Sequence, residues 1–174
     1  MTAPETQIAG WFATYDAPIA RLGKALRAKL RARLPGLTEL VYVYERQGSL
    51  VFSYSPTEAG AGGVAGVAVY PDRVNLFLNG GPALSKADPG KLLRGSGKAV
   101  RYVEVDAIEA FDRPEIEALI AAALDAAKVR LDPKAKGAVV LKADEQKQRA
   151  ARAKRTAGAK PARTKPQRPK KPAR

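Results

Sequence analysis

The feature that most constrains this chain is where its aromatic residues stop. None follows Phe111, and from Lys142 onward Lys, Arg, Ala and Pro dominate. A segment of that composition buries too little apolar area to offset the entropy of ordering it. A packed core therefore has to come from the residues before it. The reading is one domain over residues 1–136 and a disordered, basic tail over 137–174, in a chain whose 174 residues suffice for one domain with a true core.

Within the domain, the spacing of apolar residues predicts the elements. Thr2-Ala3-Pro4-Glu5 has the form of a capping box with proline in the first turn. Ile8, Trp11, Phe12 and Tyr15 then mark one face of a helix. Asp16-Ala17-Pro18 ends that helix and starts a second, in which Ile19, Leu22, Leu26, Leu30 and Leu34 recur every three or four residues until Pro35-Gly36. Strand chemistry follows at 40–44, 50–55, 64–70, 74–79 and 100–105, with short turns between the first four that favour an antiparallel meander. Asp112, with Glu115 three residues on, has the pattern of a cap for a third helix, whose face is Ile116, Leu119, Ile120, Ala123, Leu124 and Ala127. Residues 138–142 read as one short strand or as none. The fold class is α+β: N-terminal helices and a C-terminal helix on the same face of a five-stranded, mainly antiparallel sheet.

Composition removes several chemistries. The chain has no Cys and no His, so disulfides, thiolate nucleophiles, Cys/His zinc sites and His-based triads are excluded. No residue set fills the usual active-site roles, and the expectation is a non-catalytic protein without a cofactor. The N-terminus has no basic stretch leading into an apolar run, and the longest apolar run falls well short of a membrane span, so the expected setting is cytoplasmic. Oligomeric state is not legible.

Charge gives the first functional lead. Of the net +14, residues 142–174 supply +11, with 13 basic residues against Asp144 and Glu145. Lys154, Arg155, Arg163, Lys170 and Lys171 belong to this segment. It is suited to sequence-independent contact with nucleic acid or another polyanion through phosphate neutralisation and counterion release. The plain alternative is a solubilising extension. On the second helix, Arg21, Lys24, Arg27 and Arg31 share a side, which makes either an additional phosphate-contacting stripe or an ordinary solvated face opposite the leucines.

Two further places hold chemistry. The segment Lys91 to Arg101 surrounds Gly95-Ser96-Gly97 with Lys91, Arg94, Lys98 and Arg101, a candidate small-anion site. It lacks the first glycine and the Ser/Thr of a Walker A loop, and its plain reading is a turn feeding a strand. Glu104 and Asp106 are the candidate oxygen ligands for a hard cation, with strand-face solvation as the alternative.

Several strings together resemble the YdhG-like family (domain of unknown function 1801) across about residues 7–130: Glu39-Leu40-Val41-Tyr42, Ser55-Pro56-Thr57-Glu58, Val69-Tyr70-Pro71, Val74-Asn75-Leu76-Phe77, the stretch from Leu92 to Arg101, and Asp112-Arg113-Pro114-Glu115. The resemblance implies an α-β-α domain with an antiparallel sheet. One branch of the family includes a bacterial frataxin-like iron chaperone, which implies, as a second function, a carrier that binds iron or a small ligand through surface carboxylates. In this chain the second helix has no acid between Asp16 and Glu39, and such a basic surface repels iron cations. The first expectation is a YdhG-like domain whose tail binds polyanions.

Overall fold

The computed structural model describes residues 3–142. The tail positions named above, Lys154, Arg155, Arg163, Lys170 and Lys171, lie outside the described residues, as does Thr2 of the N-terminal capping pattern.

Among the described residues there are three α-helices: α1 (Ala3–Phe12), α2 (Ala17–Arg33) and α3 (Pro114–Ala127). Six strands form one sheet: β1 (Thr38–Tyr44), β2 (Ser49–Ser55), β3 (Ala65–Val69), β4 (Val74–Asn79), β5 (Val100–Glu104) and β6 (Val139–Leu141). Their order is β5-β4-β3-β2-β1-β6. The first five strands pair antiparallel as the short turns predict, and β6 runs parallel to β1. The class is α+β, with one strand more than the five expected. Three residues beyond position 136 thus belong to the sheet rather than to the tail.

Alternation along the strands sorts the side chains onto two faces. Val41, Phe52, Val67, Leu76 and Val103 are paired in register across five strands and all are buried. This face receives α2 and α3, whose inward residues Leu26, Leu30, Leu119 and Ile120 are fully buried. Phe12 of α1 stacks on Phe52 with ring centroids 5.6 Å apart. The apolar stripes read from the sequence are therefore the ones that make the core. Among the described residues no helix packs on the opposite face; the 56–63 loop folds over one end of it, where Gly60 meets Leu40 and Tyr42, and Gly95 lies against Tyr102 near the other.

Local detail departs from the pattern in three places. The first helix stops at Phe12, because Thr14 and Tyr15 turn out of it. The Thr14 hydroxyl donates to the Trp11 carbonyl at 2.7 Å, and the Tyr15 hydroxyl donates to the Gly48 carbonyl of the β1–β2 turn at 2.8 Å. Asp112 does not cap α3. Arg113 holds the cap position in an extended conformation with no side-chain bond, while Asp112 closes a 3₁₀ turn over Ile108–Asp112 and pairs with Lys29. Finally, β6 docks because residue 137 is glycine: a Cβ there would collide with the Leu37 carbonyl, and the close approach lets the Ala138 carbonyl accept the Glu39 N–H at 2.8 Å.

Candidate polyanion-contacting residues and the cleft beside β5

The basic side of α2 divides once its partners are in place. Arg27 is not a free cation. Its guanidinium lies across the Phe52 ring at 4.9 Å. Nε and Nη2 donate to the two oxygens of Glu39 at 2.8 and 2.7 Å, while Nη1 and Nη2 donate to Glu5 at 2.9 and 2.7 Å. Glu39 is 1% exposed, and the Tyr54 hydroxyl donates to it at 2.7 Å. A carboxylate this far from water requires such partners, and two-pronged pairing with arginine supplies them. Burial and the neighbouring Glu39 charge push the Tyr54 hydroxyl well above the ordinary tyrosine value. The Arg27 hydrogen bonds outweigh burial and hold Glu5 below the ordinary carboxylate value.

Two more residues of the stripe are similarly committed. Arg31 reaches Glu5 at 3.2 Å, and Lys24 sits 5.4 Å from the Phe12 ring centroid. On the neighbouring side of the helix Lys29 pairs with Asp112 and Arg33 with Glu117. The absence of acids within α2 is thus made good by acids from α1, β1 and the α3 region. Above these contacts, α1 and α2 leave an open, largely apolar groove of about 730 Å³ whose exposed floor includes Ala9, Ala28 and Ala32. Of the four stripe residues, Arg21 alone is exposed with no ion pair or ring contact among the described residues.

The loop and the carboxylates that the sequence presents as separate sites converge. Lys91 and Arg94 face Glu104, Asp106, Glu109 and Arg113 around a cleft of about 630 Å³ at the β5 edge, with Val103 and Ile116 among its apolar lining. The loop is braced from within: the Asp88 carboxylate accepts the N–H groups of Leu92 and Leu93 at 2.8 and 2.9 Å, and Lys91 takes a left-handed φ of 53°. Arg94 is bridged to Tyr102 by two backbone hydrogen bonds of 2.7 and 3.1 Å. None of the six charged groups is ion-paired with another described residue. Gly95, Ser96, Gly97, Lys98 and Arg101 do not line the cleft. Gly95 lies against the Tyr102 ring, Ser96 to Lys98 are exposed, and Arg101 bonds back to the Val100 carbonyl. Three basic groups and three carboxylates in one cleft suit a ligand carrying both signs of charge better than a simple anion. Among the described residues, no three or more acidic side chains are grouped so as to hold a metal ion, and no helix is long and apolar enough to cross a membrane.

Comparison of the chain with known protein families, with curated proteins and with solved structures returns no match.

Proposed function

We propose that this protein is a polyanion-binding accessory, of YdhG-like type and cytoplasmic setting, in which a non-catalytic α+β domain carries a basic arm that engages nucleic acid without sequence preference. The observation that supports it is the partition of charge. Residues 1–141 hold 18 basic and 15 acidic residues, and the α2 cations are largely taken up by Glu5, Glu39, Asp112 and Glu117. Residues 142–174 hold 13 basic and 2 acidic residues. Uncompensated positive charge on that scale favours phosphate contact through released counterions.

The test is salt-titrated binding of a fluorescent DNA duplex to the full chain and to a full-length variant with Lys154, Arg155, Arg163, Lys170 and Lys171 all changed to Gln. The native chain should lose affinity steeply as salt rises. The variant should bind more weakly, with a log–log salt slope shallower by up to about 4.5. Equal affinity and slope in the two chains would remove the arm from the reading.

A small-ligand carrier is the second reading, and the cleft beside β5 favours it. Saturable binding of a zwitterionic ligand such as an amino acid, lost in Arg94→Gln/Glu104→Gln, would move the function there.

A further inference from the structure

We infer that the helix-free face of the sheet is a stacking platform for single-stranded nucleic acid, centred on Phe77 and Tyr102. The inference rests on the polyanion reading and narrows its partner from any polyanion to an unpaired strand.

One register row crosses this face: Ser53, Gly66, Phe77, Tyr102 and, at the outer edge, Arg94. Strand parity puts Phe77 opposite in direction to the buried Leu76 and Leu78, and Tyr102 opposite to Val103. Phe77 and Tyr102 therefore occupy paired register positions on the face that no helix covers, both partly exposed. The Tyr102 backbone groups bond to Arg94, so Phe77 and Tyr102 form a non-hydrogen-bonded pair, the closer of the two spacings in an antiparallel ladder.

These rings pack against glycines, Phe77 on Gly66 and Tyr102 on Gly95, and, among the described residues, not against another side chain's ring or charge. Phe12 and Phe52 stack on each other, Tyr42 stacks on Tyr44, Arg73 lies 4.4 Å over Tyr70, and Tyr54 is buried on Glu39. Phe77 and Tyr102 are engaged with no other ring, no cation and no side-chain hydrogen bond among the described residues. Gly66 explains how Phe77 is held: a Cβ at that position would run into the Phe77 ring, so the ring rests over the β3 backbone where a side chain would otherwise stand. A ring lodged in this way is fixed in place before a base arrives, and less ordering remains to be done on binding.

Charge selects the occupant. Arg94 ends the row at the sheet edge, exposed and without an ion-pair partner among the described residues, and Lys98 is exposed on the same loop. A strand whose bases lie on Phe77 and Tyr102 brings its phosphates past these cations. Glu104, two residues from Tyr102 on the same face and opposite Asn75, marks the side that phosphates avoid. Duplexes keep their bases stacked on one another and offer the rings nothing; an unpaired strand has free π faces, and each base stacked on an aromatic contributes substantially whatever its identity.

The experiment compares labelled oligo-uridylate with a duplex of equal length, both titrated with the full chain at one salt concentration. The expected result is tighter binding of the single strand. Phe77→Leu and Tyr102→Leu should each weaken oligo-uridylate about fivefold or more while leaving duplex affinity unchanged. Phe77→Trp and Tyr102→Phe should keep it, which separates a lost π face from a disturbed sheet. Unchanged single-strand affinity in both leucine variants would overturn the platform and leave the polyanion arm standing. Failure of the native chain to bind either nucleic acid would overturn both.

Discussion

Tyr54 donates its hydroxyl to a carboxylate that is almost wholly removed from water, and Arg27 closes the other side of that carboxylate. Removing Arg27 should expose what the pairing sustains. Arg27→Met leaves Glu39 buried with the Tyr54 hydroxyl as its hydrogen-bond donor and the more exposed Arg31 3.8 Å away, and urea unfolding near pH 7 should show a loss of about 3 kcal/mol. Much of that loss should return in Arg27→Met/Glu39→Met, since replacing both charges leaves no buried ion unpaired. Tyr54 predicts a pH effect of definite sign. Its hydroxyl titrates above the ordinary value of 10.0 in the folded chain, because of burial first and Glu39 second. The stability this gives is complete below pH 10 and falls as pH rises beyond it, where the unfolded chain ionises first. In Tyr54→Phe that alkaline decline should be shallower, on top of a loss of about 1–3 kcal/mol at neutral pH from the donor taken from Glu39. An equally steep decline in native and variant chains would place the alkaline sensitivity elsewhere.

At the scale of elements, periodicity made most of the fold legible. Leucines at helical spacing on α2 and alternation in β2 and β4 state which face is buried, and burial is what fixes those elements. Ion pairs were not legible, because their partners are distant in the chain: Lys29 meets Asp112 across 83 positions and Arg33 meets Glu117 across 84. A basic helix therefore reads as a basic surface until the fold brings its acids. The Asp112 cap failed for the same reason, since pairing with Lys29 draws that carboxylate away from the α3 amides. Phe77 did leave a signal, an aromatic at the parity of Asn75 and Asn79 rather than that of Leu76 and Leu78. The ambiguity at 138–142 reflects a strand of only three residues, whose formation hinges on close passage rather than on side chains. Gly137→Ala should therefore detach β6 while the meander persists. Hydrogen exchange should then show Glu39 and Lys142 amides, which donate to Ala138 and Val41, losing protection ahead of those in β3. Protection equal to that of the native chain would mean the backbone can move aside for a methyl group.

For the molecule as a whole, the polyanion arm and the aromatic face make different thermodynamic predictions. A ligand held by residues outside 3–142 has no reason to stabilise the domain, whereas one lying on Phe77 and Tyr102 binds only the folded sheet. Oligo-uridylate at about a hundred times its dissociation constant should therefore raise domain stability by about 2.7 kcal/mol, and a duplex held by the arm alone should not. Equal shifts from both would argue against a role for the face. The last strand has a consequence of another kind. β1 is synthesised early, but the neighbour on its outer flank is separated from it by about a hundred residues, Glu39 lying opposite Val139. During translation β1 carries an open ladder beside Leu40, Val41 and Tyr42 until nearly all of the domain has left the ribosome. An unprotected edge of that kind recruits other strands, so nascent chains stalled before Gly137 should be selectively prone to associate with one another, while those that have passed Leu141 should not.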